Sequence, residues 1–533
     1  MPTSDTTHDY VVVGAGSAGC VLADRLSAAG HSVLVLEAGR PDEAREITIP
    51  VAFSELFRGE YDWEYYTEPQ EHMHGRELYW PRGKTLGGSS SINAMIYVRG
   101  HPADYGHWAA LGNEGWGWDD VLPYFKRAER NRRLDGPAHG TDGPLNVTDL
   151  RDPTPLTEAF VEAGVERGLP HNGDFNDGDQ RGVGQYQVTQ AGGERHSAAD
   201  AYLKPALGRP ELDAETGALV TRVRFDDGDG GGQPRAVGVT YEQDGETRRA
   251  DAAEEVVLCG GAVNSPQLLM LSGVGPADHL DEHGVAVLVD SPGVGRNLQD
   301  HLAGGVMVEA TEPVSVDDAG GLLDLANWFL RKRGRLTSNV AEGGGFVRTD
   351  PDLPAPDLQF VFGAAYFVNH GEGNPDGHGF TLGAVLLQPE STGRIALRSA
   401  DPRDHPEIDP NYLAADADLE FMVDALRRMR EWTDTDALAP YSGDEFLPGA
   451  DATTDAELAE VVRERAETLY HPVGTCRMGD DERAVVDDRL RVHGVADLRV
   501  VDAAVMPRIV RGNTNAPTIM IAEKGADMLL GEA

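Results

Sequence analysis

The chain has 533 residues, 40% of them hydrophobic, with seven tryptophans. These numbers allow a sizeable core in two or more domains and exclude a disordered polymer. No apolar run reaches the roughly 18 residues that a membrane-spanning helix requires, so we expect no membrane span. The first residues, "MPTSDTTHDYVVVGAG", have no basic region before an apolar stretch and enter a strand at once, which predicts no secretory signal.

The charge of the chain is strongly acidic. Eighty-nine acidic residues against 46 basic ones give a net charge of −43, and lysine occurs only at Lys84, Lys126, Lys204, Lys332 and Lys524. Such a surface argues against nucleic acid and anionic lipid as partners, because both require basic patches. We interpret the composition as that of a halophilic, haloarchaeal protein, in which molar salt screens the repulsion between carboxylates.

Three cysteines bear on the compartment. Cys20, Cys259 and Cys476 are an odd number at unrelated spacings. This pattern predicts free thiols in a reducing cytosol rather than a disulfide framework, and therefore a cytoplasmic protein.

The most readable stretch is "DYVVVGAGSAGCVLADRLSAAGHSVLVLEAG". It predicts a buried strand over residues 10–13, a helix over 17–29 and a second strand over 32–36, with Gly14, Gly16 and Gly19 in the first turn and Glu37 at the end. The glycines let the backbone approach a pyrophosphate at the helix N-terminus, and Glu37 can accept from a ribose hydroxyl. The pattern predicts dinucleotide binding and leaves FAD and NAD both open.

Several later segments carry further signals. "WPRGKTLGGSSSINAMIYVRG" (80–100) predicts an ordered turn that leads into a buried element, and "GGAVNSP" (260–266) a strand that ends in glycines before a helix. "RVVD" (499–502) is again typical of a strand that ends in an acid. Residues 301–460 alternate short strands with polar loops and lack a nucleotide signature, so we assign them to the core of a substrate domain.

The segment "YHPVGTCRMG" (470–479) raises a question about His471. This histidine could be a packed structural residue, a metal ligand beside Cys476, or a proton acceptor. A metal site lacks further ligands at sensible spacing, so we expect no metal. His72 and His74 in "EHMHG" are expected at the surface.

These motifs, taken in order, resemble the glucose–methanol–choline (GMC) family of FAD-dependent oxidoreductases, and most of all its choline-dehydrogenase-like branch. The fingerprint, "RGKTLGGSSSINAM", "GAVNSPQLLMLSGVG", "YHPVGTCRMG" and "GNTNAPTIM" occur in the family's order. The resemblance implies FAD rather than NAD. It also implies an α/β fold in which a Rossmann-like FAD-binding domain (1–150, 190–302 and 465–533) is interleaved with an α+β substrate-binding domain built on an antiparallel sheet (151–189 and 303–464).

The resemblance also assigns site residues. It places His471 as the general base that takes the hydroxyl proton of an alcohol, and Asn515 as the partner that donates its amide N–H to the same oxygen. Cofactor contacts are expected from Gly14, Gly16, Ser17, Ala18, Gly19, Glu37, Ala38, Arg82, Gly87, Gly88, Asn93, Ala94, Met95, Val220, Gly260, Asp502, Ala503 and Thr518. Asp502 could equally be a helix cap.

Two departures from the family pattern limit what the resemblance implies. Relatives with a covalently held flavin have a histidine near the serine run, where this chain has Ile92, so we expect non-covalent FAD. Choline-oxidising relatives can carry a glutamate where this chain has Ala303 in "QDHLAGG", so the alcohol stays open. The expected activity is oxidation of an alcohol to an aldehyde or ketone, with oxygen, a quinone or a carrier protein as electron acceptor. The competing hypothesis is a cyanohydrin (hydroxynitrile) lyase whose FAD is structural.

Overall fold

The computed structural model describes residues 6–226 and 232–532. Its helices are α1 (Ser17–Ala28), α2 (Arg45–Thr48), α3 (Pro102–Ala110), α4 (Trp118–Ala128), α5 (Pro155–Glu166), α6 (Lys204–Ala206), α7 (Gly261–Leu271), α8 (Ala277–Glu282), α9 (Leu322–Arg331), α10 (Asp416–Thr433), α11 (Asp455–Arg465) and α12 (Asn515–Leu530).

The strands follow in chain order. They are β1 (Thr6–Val13), β2 (Val33–Leu36), β3 (Tyr65–Tyr66), β4 (Tyr79–Trp80), β5 (Glu129–Asn131), β6 (Leu145–Asp149), β7 (Gly182–Gln185), β8 (Gln187–Val188), β9 (Gln190–Ala191), β10 (Glu194–Arg195), β11 (Leu212–Glu215), β12 (Leu219–Asp226), β13 (Arg235–Gln243), β14 (Glu246–Leu258), β15 (Val274–Gly275), β16 (Val289–Asp290), β17 (Arg296–Leu298), β18 (Leu302–Ala310), β19 (Ala341–Val347), β20 (Leu358–Gly363), β21 (Gly379–Leu386), β22 (Gly393–Ala396), β23 (Glu407–Asp409), β24 (Ser442–Leu447), β25 (Glu467–Thr468) and β26 (Leu498–Val500).

The first large sheet has the order β11-β2-β1-β14-β13-β12, and β26 also pairs with β14. β1 lies between β2 and β14 and is parallel to both. Its residues from Tyr10 to Val13 are buried, as are all four residues of β2, which is why both strands read as continuous apolar runs. The βαβ unit predicted from the sequence is therefore present, with α1 as its helix.

Four chain segments meet at one edge of this sheet. Because β1, β2, β14 and β26 are parallel, the residues that follow them lie at the same carboxyl edge. Those residues are Gly14 after β1, Glu37 after β2, Gly260 just beyond β14 and Asp502 just beyond β26. In open α/β sheets this edge is where ligands bind.

The second large sheet is antiparallel, with the order β24-β18-β21-β20-β19-β7, and β25 also pairs with β18. Helix α10 covers one face: a Cβ on Gly304 of β18 would lie 3.0 Å from Met422 Cε on α10. The expected fold class, a Rossmann-like unit combined with an antiparallel substrate sheet, is confirmed. The residue boundaries between the two domains stay a prediction, and β25 lies in the second sheet although it falls within the range 465–533.

Within the two described ranges, no helix combines the length and apolar character needed to cross a membrane.

Candidate active site

A cavity of about 730 Å³ lies between the carboxyl edge of the first sheet and the uncovered face of the second. It extends from Gly14 and Glu37 at one end to His471 and β18 at the other. All residues that the sequence analysis assigned to the site line this cavity, with the exception of Gly19 and Gly87. Its size is typical of a cofactor and small-molecule site.

Glycines form the part of the cavity next to β1. Gly14 has a φ of +99°, and a Cβ there would lie 2.7 Å from the carbonyl oxygen of Cys259. A Cβ on Gly88 would lie 2.7 Å from Gly16 Cα, so the two glycine loops touch. A side chain at these positions would displace backbone, and its absence leaves N–H groups accessible to a ligand.

The two assigned glycines outside the cavity support this arrangement from behind. A Cβ on Gly19 would lie 1.9 Å from the carbonyl oxygen of Gly14, so only glycine lets α1 pack against the turn. Gly87 has a φ of +83°, and its N–H donates to the carbonyl of Ala15 at 2.7 Å. Both glycines position the turn rather than line the cavity.

Glu37 is buried and holds the loop that surrounds it. Its Oε2 accepts from the Ala15 N–H and its Oε1 from the Gly39 N–H, both at 2.8 Å. Burial raises the pKa of Glu37 to about 7, against the lowering effect of these two amides. Each carboxylate oxygen keeps a second lone pair, so Glu37 can still accept from a ribose hydroxyl.

Asp502 joins β26 to the start of α7. One carboxylate oxygen accepts from the Ala504 N–H at 2.7 Å, and the other accepts from the Gly261 N–H at 2.8 Å and from the Ser265 hydroxyl at 2.6 Å. The capping role that the sequence left open is therefore present. Asp502 also lines the cavity, where it is available to a ligand.

The segment Asn93–Met95 forms a sharp turn on the cavity wall. Met95 has a φ of +58°, and its N–H donates to Asn93 Oδ1 at 2.9 Å. Arg195 donates to the same oxygen at 2.9 Å and to the Asn93 carbonyl at 2.6 Å. Burial lowers the pKa of Arg195 to about 9. The sequence analysis missed Arg195, which places a buried positive charge directly behind this turn.

His471 is 8% exposed and makes three defined contacts. Its Nδ1 lies 2.9 Å from Nδ1 of His301, and its Nε2 lies 3.2 Å from Nδ2 of Asn513. Its backbone N–H donates to Oδ1 of Asp300 at 2.7 Å. Asp300 also accepts from the hydroxyls of Thr468 and Tyr412, so the loop that carries His471 is held by a buried carboxylate.

The contacts of His301 determine the tautomer of His471. Nε2 of His301 lies 3.2 Å from the Leu387 carbonyl, which only accepts, so this nitrogen carries the hydrogen. Nδ1 of His301 is then an acceptor, and Nδ1 of His471 donates to it. Nε2 of His471 is left with a lone pair, which faces Asn513 and the cavity. The assignment follows from the hydrogen-bond network.

Both histidines are neutral at ordinary pH. Burial lowers the pKa of His301 to about 4, partly opposed by hydrogen bonds to the carbonyls of Leu387 and Val510. Burial also lowers the pKa of His471 well below its usual range, with further lowering by His301 and by the guanidinium of Arg82. A neutral imidazole with an unprotonated Nε2 is chemically able to accept a proton, so the geometry is compatible with the third of the roles considered from the sequence.

The structure corrects the expected partner of His471. Asn513, and not Asn515, is hydrogen-bonded to it; Asn515 instead accepts from the Ser17 hydroxyl at 2.7 Å. Asn515 is the first residue of α12, so its side chain links that helix to the start of α1. Oδ1 of Asn513 is buried and has no protein partner in the described chain, although it lies at the cavity.

Strands β18, β20 and β21 of the second sheet supply an uncharged part of the cavity wall, whereas Glu467 of β25 adds a carboxylate that is paired with Arg76. Ala303, Gly305 and Met307 of β18 face the cavity, and β20 and β21 add Val361, Gly363, Thr381, Gly383 and Val385. Gly305 pairs with Gly383, which pairs in turn with Val361, so two adjacent strands carry no side chain at the centre of the wall. Phe53 and Phe367, stacked with ring centroids 6.0 Å apart, also line the cavity.

The described residues contain no group of three or more His, Cys, Asp or Glu side chains able to hold a metal ion. Cys476 is buried, and its backbone N–H donates to Ala504 at 2.8 Å. His72 and His74 are exposed, as the sequence analysis expected.

A glycine-lined dinucleotide cradle on a parallel sheet, next to a neutral histidine below an antiparallel sheet, defines the architecture of a flavin-dependent oxidoreductase. The family description "GMC oxidoreductase" matches residues 8–303 with its N-terminal part and residues 389–522 with its C-terminal part. The chain belongs to the GMC oxidoreductase family.

Individual relatives extend over almost the whole chain. The alcohol dehydrogenase (acceptor) of Pseudomonas putida is 48% identical, covering 98% of this chain and 96% of its own. The mitochondrial choline dehydrogenase of Mus musculus is 44% identical, covering 98% of this chain and 89% of its own. A formate oxidase variant of Aspergillus oryzae, solved in a study of FAD modification, is 29% identical with a TM-score of 0.93, covering 100% of this chain and 99% of its own.

The residues present fit FAD. The glycines at 14, 16 and 88 leave room that a Cβ would fill, and α1 begins at this turn. Glu37 stands at the end of β2 with acceptor capacity, and the cavity continues past Asn93 and Ala94 to His471. The cradle would therefore hold the dinucleotide, and the end near His471 would hold its reactive ring.

Proposed function

We propose that this protein oxidises a primary alcohol with no charged group to the aldehyde, with FAD held non-covalently. The observation that carries the proposal is the unprotonated Nε2 of His471, which contacts Asn513 where the dinucleotide cradle meets strands β18, β20 and β21 of the second sheet. FAD supplies, when bound, the acceptor for the hydride that leaves the substrate carbon.

The protein's part in the reaction is to bind the alcohol and remove its proton. Nε2 of His471 accepts the hydroxyl proton, and Nδ2 of Asn513 donates to the substrate oxygen as negative charge develops on it. Nδ1 of His471 keeps its hydrogen and donates it to Nδ1 of His301, so the base is already in its reactive tautomer. Asp300 accepts a hydrogen bond from the backbone N–H of His471 and so holds this residue in position.

The uncharged strands of the wall support a substrate without charge. The residues of β18, β20 and β21 that line the cavity are aliphatic side chains, glycines and one threonine, and Thr381 donates its hydroxyl to the Ala365 carbonyl. A trimethylammonium group would find no carboxylate at Ala303. Glu467, which pairs with Ala303 and also lines the cavity, is already in an ion pair with Arg76, and the nearby aromatic rings would attract the group with about 0.5–2 kcal/mol. We therefore place choline below neutral alcohols as a substrate.

The test is anaerobic bleaching of the bound flavin by a panel that includes choline, aliphatic alcohols, aryl alcohols and sugars. We expect a neutral primary alcohol to have the highest kcat/KM, and Ala303→Glu to raise kcat/KM for choline relative to that alcohol. If choline exceeds every neutral alcohol with the parent protein, the substrate assignment is wrong. Cyanide release from cyanohydrins, with no bleaching by any alcohol, would instead support the lyase hypothesis.

Attachment of the cofactor is tested separately. Position 92 is an isoleucine, which offers no nucleophile to the flavin, and it packs in an apolar cluster with Ile47 and Leu56. Acid precipitation should therefore leave the yellow colour in the supernatant, and colour in the pellet would show a covalent bond. The electron acceptor is oxygen, a quinone or a carrier protein, and comparing these three in turnover assays distinguishes an oxidase from a dehydrogenase.

We also place the protein in the cytoplasm of a halophile. Three free, buried cysteines support a reducing compartment, and the net charge of −43 supports a high-salt environment.

A further inference from the structure

Helix α9 presents an apolar face to solvent. In the described chain, ten large apolar side chains are exposed, and four of them are on this one helix of ten residues. Leu322, Leu323 and Leu330 are 86%, 87% and 83% exposed, more than any of the other seven. Large apolar side chains gathered in this way mark an interaction surface, whereas single ones are ordinary.

The exposed side chains form one stripe. Leu322, Leu323, Phe329 and Leu330 follow the spacing i, i+1, i+7 and i+8, which places them on the same side of a helix, with the exposed Ala326 between them. We call these four large side chains the outer face of α9.

The inner side of α9 is already fixed. Trp328 and Leu325 pack in a cluster with Ile49, Ala52 and Leu336, and the Trp328 indole donates to the Gly193 carbonyl at 3.2 Å. The helix therefore uses its other apolar side chains for folding. In the described chain the outer face belongs to no apolar cluster, and Phe329 contacts only Trp328 of its own helix and the cations of Arg45 and Lys332. Rotating α9 to bury the outer face would expose Trp328.

Basic residues follow this face directly in the sequence, although the chain as a whole is acidic. Four of the five residues in 331–335, "RKRGR", are basic. Lys332 and Arg333 form ion pairs with Glu194 and Asp152, and Arg335 with Asp318 and Asp324. The side chains of these three basic residues are about one-third exposed or more. Their carboxylate partners are therefore readily exchanged for other anions.

Two further arginines have no carboxylate partner among the described residues. Arg331 is exposed at the last position of α9, and Arg45 is exposed with its guanidinium carbon 5.8 Å from the centre of the Phe329 ring. Uncompensated positive charge therefore lies next to the apolar stripe. An exposed leucine and phenylalanine stripe bordered by arginine and lysine is typical of a helix that lies in the headgroup region of a bilayer.

We propose that α9 docks the protein on the surface of an anionic lipid bilayer, with the outer face inserted at the boundary of the acyl chains and with Arg45 and Arg331 at the headgroups. The rest of the acidic surface opposes adsorption, so the contact is confined to α9 and fixes one orientation of the protein. Net charge alone predicts the opposite, that anionic lipid is not a partner, and binding to vesicles distinguishes the two.

The docked orientation has a consequence for access to the cavity. The inner side of α9 packs on Ile49 and Ala52, and the next residue, Phe53, lines the cavity. A molecule dissolved in the bilayer would thus meet the protein close to the element that forms part of the cavity wall. Self-association is the less favoured alternative, because two chains of charge −43 repel and a stable interface needs roughly 800 Å² from each partner.

The test is flotation of the FAD-loaded full-length protein with vesicles of phosphatidylglycerol or of phosphatidylcholine. We expect the parent to bind phosphatidylglycerol more tightly. Leu322→Gln combined with Leu323→Gln should weaken binding by at least about tenfold, because two apolar side chains are lost from the part of the helix that enters the bilayer. Leu111→Gln and Leu207→Gln, each at an exposed leucine elsewhere, are the matched controls and should bind as the parent does.

The dependence of binding on salt separates the contribution of the two arginines from that of the leucines. Arg45→Gln with Arg331→Gln should lower binding to phosphatidylglycerol in dilute buffer and matter less in about 1 M salt, where the Debye length falls to about 3 Å. The melting temperature and flavin absorbance of all variants should match the parent, because every substituted side chain is exposed. Failure of the parent to float with either lipid overturns the proposal. So does a dimer, detected by sedimentation, that dissociates in the leucine variant without any binding to vesicles.

Discussion

His301 and His471 are joined through their Nδ1 atoms at 2.9 Å, and this contact leaves Nε2 of His471 as the acceptor that faces the cavity. The Leu387 carbonyl accepts a hydrogen bond from Nε2 of His301. This contact sets the direction of the hydrogen bond between the two histidines. A backbone oxygen of a residue that does not line the cavity thus determines which nitrogen of His471 is available as the proposed base.

Replacing His301 tests this arrangement. His301→Leu removes the acceptor for the Nδ1 hydrogen of His471, so the ring can move its proton to Nε2 and lose the base. We expect flavin reduction by the alcohol to slow by about 10²-fold or more, within the range of a lost general base. His301→Asn retains an acceptor oxygen and should recover part of the rate. Anaerobic stopped-flow measurements check this, and equal rates in the two variants would contradict it.

His471→Ala removes the proton acceptor itself. The expected loss in the rate of flavin reduction is about 10²–10⁴-fold. FAD content and the visible spectrum should stay near those of the parent, because Gly14, Gly16 and Glu37 are untouched. His72→Ala, at an exposed histidine, is the control and should change nothing. A near-parental rate in His471→Ala would make this residue structural.

The pH dependence of the parent should show the lowered pKa of His471. The neutral form is the base, and burial, His301 and Arg82 all lower its pKa. The rate of flavin reduction should therefore stay level as pH falls through 6.5, where a free histidine titrates, and should decline only at lower pH. The rate is measured across the pH range in which the flavin stays bound. A midpoint at or above 6.5 would show that His471 is not desolvated in the working enzyme.

Asn513 and Asn515 form a matched pair of substitutions two positions apart. Asn513→Ala removes the amide next to Nε2 of His471 and should lower the rate of flavin reduction, by less than His471→Ala because one hydrogen bond is lost rather than the base. Asn515→Ala breaks the contact with Ser17, so it should weaken FAD retention with little effect on the rate of the loaded enzyme. Rates and flavin stoichiometry measured together distinguish the two, and the reverse result would restore Asn515 as the partner.

The acidic surface predicts a response to salt. Repulsion between carboxylates extends about 10 Å at 0.1 M ionic strength and about 3 Å at 1 M. We expect the melting temperature and the activity to rise together as KCl increases toward molar concentrations. A melting temperature that stays flat or falls between about 0.1 and 3 M salt would rule out halophilic adaptation.

The dinucleotide cradle could be predicted from the sequence because its parts are consecutive. Gly14, the first turn of α1 and Glu37 lie within a single βαβ unit, and the structure keeps them together at the end of β1 and β2. The role of His471 as a base was one of three possibilities from its own segment alone. The hypothesis that His471 is the base depends also on the order of the motifs along the chain and on the contacts of its side chain.

The residues that the sequence analysis missed or misplaced depend on contacts between distant segments. His301 lies 170 positions from His471 and Arg195 lies 102 from Asn93, so no local pattern links either pair. Asn513 and Asn515 have the same side chain, and only the start of α12 at Asn515 decides which of them faces the histidine. The Asp-His pair at 300–301 was a usable signal, because a buried histidine beside an acid requires partners.

The hydrogen bond between Ser17 and Asn515 closes a loop of 498 residues, and the buried ion pair of Arg25 with Glu523 closes another of the same length. Contacts of such long range slow folding, because chain entropy is lost before they form. On the ribosome, β1 and α1 emerge long before β26, His471 and α12 exist to join them. The cradle therefore stays incomplete until the segment that carries His471 and α12 has been synthesised.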